Sequence, residues 1–290
     1  MITVGAVSLG WSGVPLERVL ADLREMGGES IEINSQAGLH GLVIDGATAP
    51  RVRSMAETAG IAIRAVSGYN DFAQTEPGSL EREVRRLLAA CRIASDLGVT
   101  LVRAFAGEAK PGRELTELRA RIVEGFRRAA GPARAAGVTL AIENHGRLLN
   151  DGRALAELVR EVDEPNVRLT LDTGNFAWGG HDLASTREDL DAALPYAVNV
   201  QIKDGIWRDG TFQFVPAGDG ELPLAELVAR LVACGYDGPI SSEYEGGGDF
   251  REGTRRSITR LRAERDAAVR SGSAHGDTPG TPGRAPGVAS

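Results

Sequence analysis

Short runs of apolar and β-branched residues recur along the chain and alternate with longer stretches of a different period. In the longer stretches apolar residues are spaced three and four apart, as in L-x-x-V-L-x-x-L from Leu16 to Leu23 and L-x-x-L-V-x-x-L from Leu224 to Leu231. That spacing is typical of a helix with one buried face. The strand candidates are ITVGAVS, ESIEIN, GIAIRAVSG, GVTLVRAFAG, GVTLAIENHG, NVRLTLDTGN, AVNVQIKDG and GPISSEYEG. The pattern therefore predicts strands that alternate with helices.

Such alternation requires parallel strands, because each helix returns the chain to the same end of the sheet. Eight strand–helix units in roughly 260 residues match an α/β fold of the (β/α)8 TIM-barrel type better than an open doubly wound sheet, which stays the alternative. The glycine pattern of dinucleotide-binding sheets, G-x-G-x-x-G, is absent after the first strand, where VSLGWSG stands instead. We therefore predict a TIM barrel.

The hydrophobic pattern ends near Ser271, and the remaining SGSAHGDTPGTPGRAPGVAS contains no Leu, Ile or Phe. Such a segment buries too little apolar surface to offset the entropy lost on ordering it. We predict one TIM-barrel catalytic domain over residues 1–265 and a Gly/Pro/Ser-rich disordered tail over residues 266–290, which includes His275.

Alternation within the strands indicates which side chains enter the barrel. In the fifth strand Leu140 and Ile142 share one face, and Ala141 and Glu143 share the other. The apolar face must meet the helices, so the other face points into the barrel. The same alternation in the seventh strand places Val198 on the outer, apolar face. Read in the same phase, the other strands direct inward Glu32, Arg64, Arg103, Arg168, Thr170, Asp172, Asn199, Gln201, Lys203, Ser241, Glu243 and Glu245. Polar groups thus gather near the carboxyl ends of the strands, where barrel active sites lie.

Four successive strands bring Glu143, Asp172, Gln201 and Glu243 to the same rim. A single inward carboxylate could simply pair with a barrel arginine, but three converging carboxylates repel one another unless a cation lies between them. If Gln201 binds through its amide oxygen, the site offers four oxygen ligands and neither histidine nor thiolate. Such a set suits Mg²⁺ or Mn²⁺ better than Zn²⁺. We therefore predict one divalent metal ion, Mn²⁺ or Mg²⁺.

Composition narrows the function classes. The net charge of −7, without a dense basic block, argues against a nucleic-acid partner. The two cysteines, Cys91 and Cys234, both lie in helical patterns, which disfavours a disulfide scaffold and favours a reducing compartment. No apolar run approaches the ~18 residues of a membrane span, and the N-terminus lacks a basic signal region. We expect a soluble cytoplasmic protein with a small, carbohydrate-like substrate, and the sequence is compatible with a homo-oligomer.

The motifs IENH, LTLDTGN, VQIKDG and SSEYEG follow one another at the ends of strands five to eight. In this order they resemble the xylose isomerase-like TIM barrels, the sugar phosphate isomerase/epimerase superfamily, and the resemblance covers about residues 1–265. It implies a divalent metal held by Glu, Asp, His and Glu, at Glu143, Asp172, Gln201 and Glu243. Glutamine replaces the usual histidine, which leaves either an amide-oxygen ligand or a weakened site. We favour the first, because the other three ligands and Lys203 are intact.

The resemblance also implies proton transfer next to a carbonyl, with Glu143 and Glu243 on opposite faces of the substrate. A metal would stabilise the enediolate formed when the proton leaves. Metal ligation reduces the basicity of a carboxylate, so Lys203 and His145 are further candidate catalytic residues. His145 keeps the inward phase beyond strand five, although a histidine there could equally hydrogen-bond a loop.

Four residues are candidates for substrate binding. Arg103 could hold an anionic or enolate oxygen, or only balance the carboxylates. Trp11 could form an apolar wall over a sugar face, or only pack. His181 and Asp204 lie in the segments that follow strands six and seven, and His181 could be an ordinary loop residue.

The favoured function is a metal-dependent isomerase or epimerase of a sugar, keto-sugar or cyclitol. The alternative is a lyase with the same first step: a keto-cyclitol or dehydroshikimate dehydratase, or a C-glycoside-cleaving enzyme. The superfamily's DNA-repair endonucleases hold three zinc ions and need several histidines, whereas this chain has four in all, one of them in the tail. A non-catalytic sugar-binding protein is a further, less favoured, alternative.

Overall fold

Eight parallel strands form a closed barrel in the computed structural model, which describes residues 1–274. They are β1 (Thr3–Val7), β2 (Ser30–Asn34), β3 (Ala62–Ser67), β4 (Leu101–Phe105), β5 (Thr139–Glu143), β6 (Val167–Asp172), β7 (Ala197–Ile202) and β10 (Pro239–Ser242). Successive barrel strands pair in chain order, and β10 closes the barrel against β1. The TIM-barrel prediction is therefore confirmed.

The helices surround the barrel and pack their apolar faces on it. They are α1 (Leu16–Glu25), α2 (Ala49–Ala59), α3 (Ser79–Leu97), α4 (Leu115–Ala135), α5 (Gly152–Val162), α6 (Thr173–Trp178), α7 (Leu183–Ala193), α8 (Leu224–Ala233) and α9 (Phe250–Ala274). Leu16 and Leu231, from the two patterns that predicted helices, are fully buried, as are Leu140 and Ile142 on the outer face of β5. Within residues 1–274, no helix is both long enough and apolar enough to cross a membrane.

The last helix extends the domain beyond its predicted end. Ile258 and Leu261 of α9 are fully buried, and the Arg265 guanidinium pairs with Glu29 and donates a hydrogen bond to the carbonyl of Ile2. These contacts hold the helix against the start of β1, and it continues to Ala274. Residues 266–274, which composition assigned to the tail, are therefore helical; the remainder of the predicted tail lies outside the described residues.

An antiparallel hairpin between β7 and α8 was not predicted. It consists of β8 (Asp204–Arg208) and β9 (Thr211–Val215). Asp209 and Gly210 join the strands with φ angles of 50° and 75°. An Asp-Gly pair with two positive φ angles is the turn that such hairpins favour, so the D-G dipeptide was the available signal.

Register shifts change the inward phase at two positions. Between β6 and β7 the pairing passes from Leu169–Ala197 to Thr170–Asn199 and skips Val198, which packs inside the barrel rather than on the outer apolar face. Between β2 and β3 the pairing skips Arg64, whose guanidinium donates to the carbonyl of Asp237 at 3.0 Å. Because Asp237 lies two residues before the start of β10, Arg64 lies at the amino end of the barrel. The inward position at the rim predicted for Arg64 is therefore wrong.

Candidate active site

Three carboxylates meet at the carboxyl end of the barrel. Glu143 ends β5, Asp172 ends β6 and Glu243 directly follows β10. One carboxylate oxygen from each lies within 4.8 Å of the others. Glu143 and Asp172 are buried, and the Glu243 side chain is 10% exposed. We call these residues the acidic triad.

The ends of β5 and β6 are fixed by local hydrogen bonds. The Asn144 side chain donates to the carbonyl of Asp172 and accepts from its N–H, both at 2.8 Å. Oδ1 of Asp172 accepts from the N–H groups of Gly174 and Asn175 and so caps α6. Only Oδ2 of Asp172 is then left to face the other carboxylates. The D-T-G-N sequence thus positions this carboxylate through helix capping.

Two buried cations lie among the carboxylates. The Arg103 Nε atom is 3.2 Å from Glu143 Oε2 and 3.6 Å from Oε1 of Glu32, a buried residue of β2. Lys203 Nζ is 3.3 Å from Asp172 Oδ2 and 3.4 Å from Glu243 Oε2. With Glu32 and the acidic triad ionised, these two cations leave two negative charges uncompensated, and Glu245, whose half-exposed carboxylate lies 3.5 Å from Lys203 Nζ, adds a third.

The carboxylates differ in pKa. Burial raises the pKa of Glu143 to about 7, against the attraction of Arg103. Burial likewise raises the pKa of Asp172 well above its ordinary value, although Lys203 opposes the rise. Burial acts in the same direction on Glu243, but Lys203 and Arg103 outweigh it and lower the pKa of Glu243. The raised pKa values mean that Glu143 and Asp172 hold a proton more readily here than in water. A divalent cation bound between the carboxylates would displace these protons.

The oxygen atoms of the site are incompletely satisfied. Asp172 Oδ2 and Glu243 Oε2 are buried with the Lys203 ammonium as an ion-pair partner, and neither accepts a well-aligned hydrogen bond. The amide oxygen of Gln201 is buried without a hydrogen-bond partner within the described residues. Gln201 pairs in register with Asp172 on the neighbouring strand and is fully buried. Buried oxygens are normally satisfied, so this set fits an oxygen-preferring cation such as Mg²⁺ or Mn²⁺.

His145 lies at the edge of this cluster. Its Nδ1 atom is 3.2 Å from Glu108 Oε1, and its ring centroid is 4.4 Å from that of Phe105. The Arg103 guanidinium lies over the Phe105 ring, 4.1 Å from its centroid. Burial lowers the pKa of His145, and Lys203 and Arg103 lower it further. The contact with Glu108 favours a proton on Nδ1, which leaves Nε2 as the basic nitrogen.

Two residues of the site were missed by the sequence reasoning. Asn175 donates to Glu143 Oε1 at 2.9 Å and accepts from Lys203 Nζ at 3.2 Å, so it joins the two sides of the cluster. Its position in the LTLDTGN motif was the available signal. The ring of Tyr69 lies 4.9 Å from the Arg103 guanidinium and its hydroxyl accepts from Asn34; no motif indicated this residue.

Comparison with known proteins identifies the family. The model of the xylose isomerase-like TIM barrel matches residues 20–264. The chain belongs to this family.

Enzymes are among the relatives of this xylose isomerase-like barrel. A putative hydroxypyruvate isomerase of Streptomyces coelicolor is 28% identical over 220 residues, 68% of this chain and 74% of the relative. A 3-dehydroshikimate dehydratase of Pseudomonas putida is 26% identical over 249 residues, 81% of this chain but only 38% of the relative. A solved xylose isomerase-like barrel of Mycobacterium smegmatis, in complex with magnesium, superposes with a TM-score of 0.76 at 18% identity and covers 92% of this chain and 97% of that one.

Three of the predicted substrate-binding residues have other partners in this xylose isomerase-like barrel. Trp11 is buried, donates to Asp22 at 3.1 Å and packs edge-on against Phe250. His181 Nδ1 is 2.5 Å from Asp189, next to α6. The third, Asp204, accepts backbone hydrogen bonds with both carboxylate oxygens. Of the four candidates, only Arg103 contacts the acidic triad, through Glu143.

The Asp204 carboxylate connects the hairpin to the loop before α8. It accepts from the N–H groups of Gly205, Gly218, Gly220 and Leu222 at 2.8 to 3.2 Å. Replacing Asp204 with Asn sets an NH₂ group against these donors, and we expect the free energy of unfolding to fall by about 2 kcal/mol. Urea unfolding measures this change, with Asp209→Asn in the exposed turn as the control, expected within about 0.5 kcal/mol of the unaltered protein. An Asp204→Asn variant of unchanged stability and raised KM would instead assign Asp204 to substrate binding.

Proposed function

We propose that the protein is a divalent-metal-dependent isomerase or epimerase that moves the proton on the carbon next to a carbonyl of a sugar, keto-sugar or cyclitol. The observation that carries the proposal is the convergence of the three carboxylates of the acidic triad at the carboxyl end of the barrel, beside the buried Gln201 oxygen that has no hydrogen-bond partner within the described residues. The names of the relatives support it, since a hydroxypyruvate isomerase and a dehydroshikimate dehydratase both act beside a carbonyl.

The acidic triad and the Gln201 amide oxygen would hold the metal. When bound, the ion supplies positive charge that polarises the substrate carbonyl and acidifies the neighbouring C–H bond. Mg²⁺ or Mn²⁺ suits this all-oxygen set, and the magnesium complex of the Mycobacterium smegmatis barrel supports that choice.

Proton transfer is assigned to residues on two sides of the site. Glu143 ends β5 and Glu243 follows β10, with β6 and β7 between these strands, so we assign the two carboxylates to opposite faces of the substrate. Glu243 removes the proton from one face and Glu143 returns it on the other. Arg103 and Lys203 offer N–H groups to the oxygen on which negative charge develops.

A lyase is the second candidate, and the position of His145 favours it. His145 beside the acidic triad, held at Nδ1 by Glu108, has Nε2 left to accept and return a proton. A dehydratase, as one relative is named, would remove the proton beside the carbonyl and release the β-hydroxyl as water, with His145 passing a proton to the leaving oxygen.

Incubation with ketoses, hydroxypyruvate and keto-cyclitols in D₂O separates the two functions. We expect deuterium to enter the carbon next to the carbonyl with the carbon skeleton retained, whereas a new enone absorbance would indicate elimination. A chelator should abolish the reaction and Mg²⁺ or Mn²⁺ should restore it. At 100 times its Kd the bound metal should also raise the Tm by about 5 °C. If neither ion changes the Tm or binds by calorimetry, the metal-dependent function is wrong.

A further inference from the structure

The amide of Gln201 has a definite orientation, set by a carboxylate from a distant strand. Its Nε2 atom lies 3.1 Å from each oxygen of Glu32, which is fully buried on β2. A carboxylate only accepts hydrogen bonds, so the NH₂ end of the amide must face it. A rotated amide would set its oxygen against the carboxylate oxygens and lose both contacts.

Glu32 is itself held firmly. Ser67 Oγ donates to Oε1 at 2.6 Å, and Asn199 Nδ2 donates to Oε2 at 2.9 Å. Arg103 adds a cation 3.6 Å from Oε1. The carboxylate therefore has little freedom to follow a rotation of the Gln201 amide.

The oxygen of the amide is the atom that does not bind Glu32, and it belongs to a residue beside Asp172 of the acidic triad. Gln201 is paired in register with Asp172, and its oxygen is buried without a hydrogen-bond partner within residues 1–274. A buried amide oxygen without a donor is unfavourable unless a cation satisfies it. Glu32 therefore disfavours the rotated amide, in which Gln201 would direct its NH₂ group rather than its oxygen toward the acidic triad.

We propose that Glu32 is a positioning residue that directs the Gln201 oxygen toward the acidic triad and thereby makes the site selective for hard, oxygen-preferring divalent cations. This inference rests on the proposed function, because it assumes that the acidic triad binds a metal. An imidazole at position 201 would supply nitrogen, which favours Zn²⁺ relative to Mg²⁺. Glutamine held by Glu32 completes an all-oxygen set instead.

Calorimetric titration with Mg²⁺ of a double-mutant cycle tests the positioning. The Glu32→Gln substitution lets the neighbouring amide donate to the Gln201 oxygen, and we expect Mg²⁺ affinity to fall about 10-fold to 100-fold. The same substitution also removes one negative charge. Gln201→Met isolates that charge effect, because a methionine has no amide to orient; in this background Glu32→Gln should cost less than about 3-fold. An equal factor in both backgrounds would overturn the inference.

One further variant tests the selectivity. Gln201→His should raise the ratio of Zn²⁺ to Mg²⁺ affinity at least about 10-fold. An unchanged ratio would overturn the proposed selectivity.

A spectroscopic measurement on the unaltered protein covers the case in which Glu32 variants do not fold. The ¹H–¹⁵N signals of the Gln201 NH₂ group, assigned by their loss in Gln201→Met, should exchange slowly with water and shift when Mg²⁺ is added. Signals that exchange rapidly or ignore Mg²⁺ would overturn the inference. Failure of the unaltered protein to bind any divalent cation would instead overturn the proposed function, so the two failures are distinguishable.

Discussion

Replacing Glu243 with glutamine is expected to lower the rate of metal-dependent proton exchange by about 10²-fold to 10⁴-fold. Glutamine keeps the size of the side chain and an oxygen for the metal, but it cannot accept the substrate proton. Although burial acts to raise it, the pKa of Glu243 is lowered by Lys203 and Arg103, so the carboxylate is in its basic form at neutral pH. Deuterium incorporation followed by NMR at saturating Mg²⁺ or Mn²⁺ measures the rate.

Glu245 offers a matched control for this substitution. It lies two residues further along the same segment, and its Oε1 atom is 3.5 Å from the same Lys203 ammonium, but its side chain is 44% exposed. Glu245→Gln should therefore change the exchange rate by less than about 3-fold. Equal losses in both variants would indicate that Glu243 acts only through Lys203. An active Glu243→Gln variant would remove Glu243 from the role of base.

Much of the barrel and part of its site could be predicted because both depend on local periodicity. The period of two in β5 and β6 assigned Glu143 and Asp172 to the inner face, and the parallel order of the strands assigned them to one rim. A register shift is not visible in such a pattern. It skips one residue, and for that reason the phase was wrong at Arg64 and Val198.

The partners of the inward residues could not be predicted, because they come from distant parts of the chain. Glu32 meets Gln201 across 169 positions, and no spacing rule connects them. The sequence predicted Gln201 as an altered ligand but contained no sign that a buried carboxylate orients its amide. The strand pattern also did not predict that Asp172 caps a helix. The hydrogen bonds that occupy its Oδ1, and leave only Oδ2 facing the site, form because α6 begins directly after β6.

Replacing Lys203 with methionine is expected to lower the free energy of unfolding of the metal-free protein by about 3 to 5 kcal/mol. The Lys203 side chain is only 4% exposed, and its ammonium lies 3.3 to 3.5 Å from carboxylate oxygens of Asp172, Glu243 and Glu245. Burial acts to lower the pKa of Lys203, but these carboxylates raise it well above its ordinary value, so the group is charged. Methionine fills a similar volume and leaves the carboxylates without their cation. Urea unfolding in the presence of a chelator measures the loss.

Divalent cations should compensate for the missing ammonium. Because the Lys203→Met variant has one more uncompensated negative charge at the acidic triad, Mg²⁺ or Mn²⁺ should stabilise it by a larger amount than the unaltered protein. Lys110→Met is the matched control, since Lys110 pairs with Asp71 at 2.5 Å but both side chains are about one-fifth exposed. It should cost about 1 kcal/mol or less and show no added response to the metal. If the metal stabilises Lys203→Met no more than the unaltered protein, the ammonium and the metal do not offset the same charge, and the acidic triad is not the metal site.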